Sequence, residues 1–564
     1  MKVIIIGGGA GGASAAARLR RLDENAEIII IEKGQYVSSA SCGLPYFIGG
    51  EIENKKDLTV QTPKSLRNRL NLDVRINQEA IEIIPSEKQV VIRDLSDNST
   101  YNESYDKLVL STGAEPVRPD FPGADNTKVF TLRTISDTYE IHDFININSP
   151  KSALVVGGGY IGLEMAENLV NIGLKVTVAE FSDHVIGSLD FDMAAEVHDY
   201  IREQGIELLL KNGVVSIKEE SDSLLVQLQQ GEILTDMVLL SVGVKPDTKL
   251  ASEAGLEINS RGAIIVDNHM CTSNPDIYAV GDSIEVIQLV NNKKSYIPLA
   301  GPANKQGRLA ADNIAGIRRE YKGSQGTAIL KLFDMTVGTT GLNEATAADS
   351  GEDFDKVYLL TSSHAGYYPG AKPLSIKVFF QKTTGKILGA QLIGYDGVDK
   401  RLDIFATAIR HEMEATDLAE LELSYAPPYS SAKDPVNMIG FMMQNLNEEM
   451  VNQYHWKDVE KIIKDGNQMV DVRTISEYAS GHIEGALNIP VDDLRKRLDE
   501  LDKSKPVYLY CRSGQRSYYA ARILKENGFD VSHLAGGYVL YSSVMTEKNR
   551  FSSNVTMSQK ELLK

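Results

Sequence analysis

The chain opens on a short apolar run that leads into glycines: Val3-Ile4-Ile5-Ile6-Gly7-Gly8-Gly9-Ala10-Gly11-Gly12. β-Branched residues favour a buried strand, and the alanine-rich stretch that follows favours a helix. The next apolar run ends at Glu32, which completes a unit of strand, glycine turn, helix, strand and acid. Such glycines let the backbone approach a pyrophosphate, and the acid accepts hydrogen bonds from ribose hydroxyls. We therefore predict a dinucleotide-binding fold with these contacts: Gly7, Gly9, Gly12 and Glu32.

The same unit recurs between Ala153 and Glu180, with glycines at Gly157, Gly159 and Gly162. Two such units predict two bound nucleotides. Glu180 ends the strand where a 2′-phosphate would have to lie, and a carboxylate there repels phosphate but accepts from a free hydroxyl. We therefore expect NADH to be preferred, without excluding NADPH.

Composition limits the class of protein. A chain of 564 residues is too long for one core and predicts several domains. Three cysteines cannot build a disulfide framework, which predicts a reducing, cytoplasmic compartment. A net charge of −18 argues against nucleic acid as a partner. No stretch approaches the roughly 18 apolar residues of a membrane span, so we expect no membrane partner. We predict no metal site.

One cysteine lies in a distinctive segment shortly after the first nucleotide unit: Ser38-Ser39-Ala40-Ser41-Cys42-Gly43-Leu44-Pro45-Tyr46. No second cysteine is close enough in sequence to form a local disulfide with Cys42. Its redox partner must then be a small-molecule sulfur or oxygen. The alternative is a small buried apolar residue, which is the commonest role of a free cysteine. The position beside a nucleotide unit favours the redox role.

Two shorter strands each end in a glycine turn. The first runs from Leu108 into Thr112-Gly113, and the second runs from Thr272 into Gly281-Asp282. The second strongly resembles the FAD motif of the pyridine nucleotide-disulfide oxidoreductases, in which the aspartate binds ribityl hydroxyls. The resemblance implies FAD on the first unit and NAD(P)H on the second. It also implies flavin contacts at Thr112, Gly113 and Asp282.

A small α/β pattern begins again after a polar stretch, which we interpret as a linker flexible enough for several domain arrangements. Its segments include Met469-Val470-Asp471-Val472-Arg473, Gly481-His482-Ile483-Glu484-Gly485-Ala486 and Tyr510-Cys511-Arg512-Ser513-Gly514-Gln515-Arg516. A cysteine that ends a buried strand opens a loop whose backbone N–H groups stabilise a thiolate and then a persulfide. Arg512 and Arg516 add positive charge for an anionic sulfur donor. The pattern closely resembles a single-domain rhodanese, which implies that Cys511 carries sulfane sulfur.

The first helix carries a basic face. Ser14, Arg18 and Arg21 recur at positions i, i+4 and i+7, so they share one side of the helix. Arginines there can hold the phosphates of a long anionic ligand. The alternative is an ordinary solvated basic face.

Four segments together resemble coenzyme A disulfide reductase over residues 1 to about 445: the Cys42 segment, the first helix, Gly366-Tyr367-Tyr368-Pro369-Gly370 and Tyr425-Ala426-Pro427-Pro428-Tyr429-Ser430. With the C-terminal part, the chain resembles the fusions of that reductase to a rhodanese, described also as NADH-dependent persulfide or polysulfide reductases. The resemblance implies that Tyr367 and Tyr425 act near the active cysteine of the partner subunit. It implies substrate contacts at Ser14, Arg18, Arg21, Ser38, Ser41, Asn304, Arg512 and Arg516.

The predicted fold is α/β, with two Rossmann-like dinucleotide-binding domains, an α+β dimerisation domain and a C-terminal rhodanese-like α/β domain. The expected boundaries are 1–115 with 246–325 for FAD, 116–245 for NAD(P)H, 326–446 for dimerisation, 447–458 for the linker and 459–550 for the rhodanese-like domain. We expect a homodimer that binds FAD, NADH and coenzyme A.

The predicted activity is reduction of CoA disulfide, CoA persulfide or polysulfide through Cys42, coupled to sulfane sulfur on Cys511. Two alternatives remain open at this point: an NADH oxidase or peroxidase, and a sulfur-carrier or redox-sensing flavoprotein. The oxidase pattern places a histidine at the start of the first helix, and this sequence has none there.

Overall fold

The computed structural model describes residues 1–351 and 353–561, with residues 552–561 described by their helical backbone alone. The chain forms two compact units, Met1–Phe181 with Lys211–Gly326, and Ser182–Leu210 with Thr327–Lys564. Within the described residues, no helix combines the length and the apolar character needed to cross a bilayer.

The first unit contains a parallel sheet of five strands built on the N-terminal run. Its strands, in spatial order, are Ile277–Ala279, Lys107–Leu110, Lys2–Ile6, Glu27–Glu32 and Asp73–Ile76. Val3, Ile4 and Ile5 have no exposed surface, as expected for a central strand covered on both faces. The predicted first nucleotide unit therefore has the sheet that it requires.

A second parallel set in this unit is ordered Lys175–Ala179, Ser152–Val156, Met237–Leu240 and Val129–Thr131. Two antiparallel sheets accompany it: Gln78–Ile84, Gln89–Asp94 and Thr100–Ser104, and then Val214–Glu220, Ser223–Leu228 and Glu232–Thr235. Two strand pairs complete the set: Ala114–Pro116 with Val244–Pro246, and Val286–Ile287 with Lys294–Ser295.

The α-helices of the unit are Ala10–Leu22, Leu44–Ile48, Pro63–Leu70, Ile135–Asn148, Tyr160–Asn171, Lys249–Glu253 and Ala300–Ile314. Its 3₁₀-helices are Ser41–Gly43, Lys55–Leu58 and Gly281–Ser283.

The second unit is built on an antiparallel sheet, whose order is Ala328–Leu332, Met335–Gly341, Ile387–Gly394, Pro373–Gln381 and Phe354–Ser362. The predicted turn at Thr384 and Gly385 joins two of these strands, and Gly385 has a φ of +77°. This unit also contains the strand Glu207–Leu209 and the helices Phe191–Glu203, Glu344–Ser350, Val398–Arg410, Ala415–Glu420 and Pro435–Asn447.

The C-terminal part of the second unit is a parallel sheet of five strands. The order is Asn452–Tyr454, Val531–Leu534, Val507–Tyr510, Gln468–Asp471 and Leu487–Asn488. Its α-helices are Val459–Lys464, Ile475–Ala479, Gln515–Glu526 and Gly537–Glu561. Its 3₁₀-helices are Trp456–Asp458, Leu494–Lys496 and Leu498–Glu500.

The observed contacts group three segments differently from the expected domain boundaries. Residues 182–210, placed by sequence in the NAD(P)H-binding domain, group with the second unit. The predicted linker contains the strand Asn452–Tyr454, which pairs with Val531–Leu534 and belongs to the C-terminal sheet. The last helix runs to Glu561, beyond the expected end at residue 550. The strand Asn452–Tyr454 could not be predicted from its polar composition, because its one buried residue is Tyr454, which is 5% exposed.

The linker is also held in place. Trp456 Nε1 donates to Asp192 at 3.1 Å, and His455 Nε2 lies 3.1 Å from an Asp355 oxygen. Further along, Arg202 makes a bidentate ion pair with the buried Glu547, at 2.6 and 2.9 Å. The C-terminal domain therefore contacts the rest of the second unit at several points.

Candidate functional site

The first glycine turn has the shape of a phosphate cradle. Gly7 has a φ of +95°, and a Cβ there would lie 2.2 Å from the Ser111 carbonyl oxygen. A Cβ on Gly12 would lie 1.9 Å from the Gly7 carbonyl oxygen. By contrast, a Cβ on Gly9 would meet no heavy atom within 4 Å. The turn is thus closed on the protein side and open at Gly9, where the helix Ala10–Leu22 begins, which fits a dinucleotide pyrophosphate.

Acidic groups stand around this cradle. Glu32 accepts hydrogen bonds from the backbone N–H groups of Gly8 and Gly34, both at 2.8 Å. These bonds hold the carboxylate at the end of its strand, where ribose hydroxyls of a bound dinucleotide would reach it. Asp282 follows the strand Ile277–Ala279 and pairs with Arg133 at 2.7 Å. Sequence reasoning missed Arg133, which lies 149 residues from Asp282.

The glycine turn at Thr112 closes the same region. The Thr112 hydroxyl donates to the Asp247 carbonyl oxygen at 2.5 Å, and Gly113 has a φ of +75°. This turn follows the strand Lys107–Leu110, which pairs in parallel with Lys2–Ile6. Parallel strands end at one sheet edge, so Thr112, Gly113 and Asp282 belong to the same edge as the cradle.

The second glycine turn repeats the first one closely. A Cβ on Gly157 would lie 2.3 Å from the Ser241 carbonyl oxygen, and one on Gly162 would lie 2.1 Å from the Gly157 oxygen. The position at Gly159 is again open. Glu180 accepts from the Gly158 N–H at 2.7 Å, as Glu32 does from Gly8. The second cradle fits a second dinucleotide.

Cys42 lies in the 3₁₀ turn Ser41–Gly43, directly before the helix Leu44–Ile48, and its side chain is exposed. The Ser38 N–H donates to the Gly8 carbonyl oxygen at 2.8 Å, which ties this segment to the first cradle. Ser38 has a φ of +52°, a left-handed conformation that an L-residue adopts only at a cost. All three cysteines are free thiols. The exposed thiol of Cys42 is thus available to a small-molecule sulfur.

A cleft of about 650 Å³ begins beside the Cys42 segment. Four of the predicted substrate residues line it: Ser14, Arg21, Ser38 and Asn304. It also contains three cations outside the predicted substrate residues: Arg69, Lys305 and Arg308. We call this the cationic cleft, with Arg21, Arg69, Lys305 and Arg308 as its cations. None of the four makes an ion pair with another described residue. A polyanionic ligand is the chemistry that such a cleft attracts.

Of the six predicted substrate residues in the first unit, two do not line the cleft. Arg18 donates from Nε to the buried Asp312 at 2.6 Å, so its guanidinium is held by a carboxylate inside the protein. Ser41 is exposed and adjoins Cys42 without lining the cleft. Ser14 instead donates to Asn304 at 2.5 Å, which joins two lining residues from different helices.

The structure brings the two predicted tyrosines together. The hydroxyl oxygens of Tyr367 and Tyr425 are 2.7 Å apart, although 58 residues separate them in sequence. Both rings are exposed, at 75% and 47%. The hydrogen bond with Tyr425 raises the pKa of Tyr367 above its ordinary value. Two linked phenols form a unit that can give up one proton while the remaining hydroxyl stabilises the phenolate.

Cys511 ends the strand Val507–Tyr510 and is 1% exposed. The Gly514 N–H lies 3.2 Å from its sulfur and points a backbone donor at it, as a loop that stabilises a thiolate requires. Arg516 is held by Glu477 through two bonds of 2.7 Å, and this pair lowers the pKa of Glu477 to about 2. Arg512 is exposed, so of the two predicted arginines it is the one whose charge faces solvent.

Within the described residues, no group of three or more His, Cys, Asp or Glu side chains is arranged to hold a metal ion. The first unit therefore carries two nucleotide cradles, Cys42 and the cationic cleft, and the second unit carries the tyrosine pair and Cys511. A chain with these parts is an oxidoreductase that uses two dinucleotides and acts on sulfur.

Comparison with known families agrees with this class. Residues 1–307 match the model of pyridine nucleotide-disulphide oxidoreductases, 327–435 match the dimerisation domain of that family, and 455–543 match the rhodanese-like domain. The chain belongs to the pyridine nucleotide-disulphide oxidoreductase family, as a chain of the coenzyme A disulfide reductase type fused to a rhodanese-like domain. The family uses FAD and NAD(P)H, which agrees with the two cradles.

Individual relatives cover most of the chain. A coenzyme A disulfide reductase from Staphylococcus haemolyticus is 36% identical over 446 residues, which is 79% of this chain and all of the relative. The structure of reduced CoADR-RHD from Bacillus anthracis is 46% identical with a TM-score of 0.95, over 97% of this chain and 98% of that one. The structure of a NAD-dependent persulfide reductase from A. fulgidus is 37% identical with a TM-score of 0.90, over 96% of this chain and 100% of that one. The predicted fold class and the predicted fusion are confirmed.

Proposed function

We propose that this enzyme uses NADH to reduce the sulfur–sulfur bond of a coenzyme A disulfide or persulfide at Cys42, and that Cys511 supplies sulfane sulfur to the cycle. The observation that carries the proposal is the cationic cleft beside the Cys42 segment, because Ser38 belongs to both. Coenzyme A is a polyanion with a long thiol arm, so it suits a cleft that has four cations and is lined in part by the segment that carries the exposed Cys42 thiol. The names of the relatives, a coenzyme A disulfide reductase and a persulfide reductase, support this substrate class.

The two cradles supply the reducing power. We propose that Gly7, Gly9, Gly12, Glu32 and Asp282 hold FAD and that the second cradle holds NADH. Bound FAD would relay two electrons from NADH to the active-site sulfur, which is chemistry that no side chain here supplies.

Cys42 performs the sulfur chemistry in this proposal. Its thiolate attacks one sulfur of the substrate, which forms a mixed disulfide or a persulfide on Cys42 and expels the other sulfur as a thiolate. The departing thiolate takes a proton from the tyrosine pair, which we propose acts from the partner subunit as the resemblance implies. With CoA disulfide the balance is one NADH and one proton consumed, and one NAD⁺ and two CoA thiols formed.

The proposal is tested by measuring NADH oxidation, without oxygen, against CoA disulfide, CoA persulfide, glutathione persulfide and polysulfide. We expect the CoA substrates to give the highest kcat/KM, with sulfide as product from the persulfides. A rate that needs oxygen and produces water or peroxide in proportion to NADH would instead identify an oxidase. Negligible turnover on all four would favour a carrier or sensor.

Glu180 is expected to set the preference for NADH. Replacing it by glutamine keeps the side-chain length and removes the charge that repels a 2′-phosphate. We expect kcat/KM for NADPH to rise about tenfold relative to NADH, which corresponds to about 1.4 kcal/mol. The ratio is measured by steady-state kinetics with both cofactors. A native enzyme that strongly prefers NADPH would contradict this role for Glu180.

Cys511 is expected to serve only the sulfane sulfur branch. Cys511→Ser should abolish sulfur transfer from thiosulfate and lower sulfide output from that donor. Reduction of preformed CoA disulfide or CoA persulfide should stay within about twofold, because the coenzyme A thiol, and not Cys511, then delivers sulfur to Cys42. Sulfide and NADH are followed in the same assay. Equal loss of all three activities would place Cys511 directly in the reductive cycle and end the carrier model.

A further inference from the structure

The two loops that carry the tyrosine pair meet at one buried arginine. Arg401 lies on the helix Val398–Arg410 and has no exposed surface. Its Nη2 donates to the Ser363 carbonyl oxygen at 2.8 Å, and its Nη1 donates to the Gly397 carbonyl oxygen at 3.0 Å. Its Nε and Nη2 face the two oxygens of Asp434 at 3.3 and 3.1 Å. A buried guanidinium with its donors committed in this way fixes the groups around it.

Two partners of Arg401 belong to these loops: Ser363 in one, and Ser430, whose hydroxyl accepts from Nη2 at 3.3 Å, in the other. Ser363 follows the strand Phe354–Ser362 and begins the loop that reaches Tyr367. Ser430 ends the segment that holds Tyr425, is fully buried, and donates to Asp434 at 2.5 Å. The Ala365 N–H also donates to the Ser430 carbonyl oxygen at 3.1 Å, so one backbone bond joins the loops directly.

We propose that Arg401 and Asp434 are positioning residues that hold Tyr367 and Tyr425 at hydrogen-bond distance, so that the pair acts as one proton donor. The inference rests on the proposed function, since it concerns the proton that the departing thiolate takes. In that step an O–H bond of one phenol breaks and an S–H bond forms. The second phenol donates to the new phenolate, and solvent later returns the proton.

The need for such support follows from exposure. Within the single chain both rings are exposed, so packing inside this chain does not by itself fix the 2.7 Å separation of the two hydroxyls. The loops therefore need support from buried residues, and the Arg401 network is a buried polar group that contacts both loops. A shift of about 1 Å in such a pair is enough to slow a reaction by up to about 100-fold.

A double-mutant cycle tests the inference in the full-length enzyme with CoA disulfide. Arg401→Lys keeps the charge and loses the planar fork, while Ser430→Ala is a milder change that removes one hydroxyl from the network. Each is made in the native background and in a background with both Tyr367→Phe and Tyr425→Phe. Lys377→Met is the matched control, because Lys377 is equally buried and pairs with Asp190 and Asp192, away from both loops.

In the native background, we expect Arg401→Lys to lower kcat about tenfold and Ser430→Ala to lower it about threefold, with KM unchanged. In the double-phenylalanine background, neither change should lower kcat further. Lys377→Met should lower Tm with an equal effect on kcat in both backgrounds. Equal losses from Arg401→Lys in both backgrounds would reduce Arg401 to a structural role and overturn the inference. If the Ser430 and Arg401 variants were fully active while the tyrosine variants were slow, the positioning role would be overturned and the proposed function would stand. Fully active tyrosine variants would overturn it together with the proposed role of the pair.

Discussion

Cys42→Ser is expected to lower NADH-driven reduction of CoA disulfide by at least about 10³-fold, since a serine hydroxyl does not attack a disulfide sulfur as a thiolate does. The substitution changes one exposed atom in the 3₁₀ turn Ser41–Gly43 and removes none of the cradle contacts. The variant should therefore bind FAD with the same visible absorbance and be reduced by NADH as fast as the native enzyme. Anaerobic NADH oxidation and flavin bleaching, measured on the same preparation, separate the two effects.

Cys271→Ser is the matched control for this experiment. Cys271 is the third free thiol, half-buried, and its sulfur faces the carbonyl oxygens of Asn274 and Ile277 at 3.6 and 4.0 Å. A hydroxyl can keep those contacts, so activity should stay within about twofold. Native turnover in Cys42→Ser, or an equal loss in Cys271→Ser, would remove Cys42 from the role of nucleophile.

The second large effect concerns the cationic cleft. Changing Arg21, Arg69 and Arg308 to glutamine together is expected to raise KM for CoA disulfide roughly 30-fold, with kcat little changed. The basis is that each exposed charge contributes up to about 1 kcal/mol and every 1.4 kcal/mol is tenfold. The same change should not affect KM for pantethine, the disulfide of pantetheine, which has the thiol arm of coenzyme A without its phosphorylated nucleotide. For the native enzyme alone, KM for CoA disulfide should also rise with added salt.

Arg67→Gln provides the control for net charge. Arg67 lies on the helix Pro63–Leu70 with Arg69, and it is exposed but does not line the cleft. We expect its KM to remain within about twofold of the native value, as for a surface charge without a specific partner. If Arg67→Gln and Arg69→Gln raised KM equally, general charge attraction would explain the data and the cleft would lose its assignment.

The nucleotide cradles could be predicted because their determinants are local. In each nucleotide unit the β-branched run, the glycines and the terminal acid lie within about thirty consecutive residues. The structure gives Gly7 and Gly157 the positive φ that their turns require. Tyr367 and Tyr425 came from resemblance alone. Neither periodicity nor spacing places their hydroxyls at 2.7 Å, because the loops converge through contacts between distant segments, among them the buried Arg401 network.

The cleft was only partly predictable. Helical periodicity put Arg18 and Arg21 on the same face, but it could not show that Arg18 forms an ion pair with Asp312, 294 residues away. Arg308 was missed for the same reason. The helices Ala10–Leu22 and Ala300–Ile314 approach so closely that a Cβ on Gly307 would lie 2.1 Å from the Gly11 carbonyl oxygen. Asn304 and Arg308, one turn apart on that helix, were the available signal.

The grouping of segments into compact units depends on contacts between residues far apart in sequence. The helix Phe191–Glu203 lies within the expected NAD(P)H-binding domain, residues 116–245, yet Arg202 is paired with Glu547 and Asp192 with Lys377. Such pairings leave no trace in composition. A polar stretch such as residues 447–458 is ordinarily a linker, and only its pairing with Val531–Leu534 shows that part of it is a strand.

The central claim is that Cys42 forms the covalent bond to the substrate sulfur, and the most direct test is to trap that bond. The reduced enzyme is freed of NADH, mixed anaerobically with CoA disulfide, quenched with acid, and examined by intact mass and peptide mapping. We predict one CoA per chain, in disulfide linkage to Cys42, and none in Cys42→Ser. CoA attached only to Cys271 or Cys511, or no adduct in an enzyme that still reduces CoA disulfide with NADH, would contradict the account.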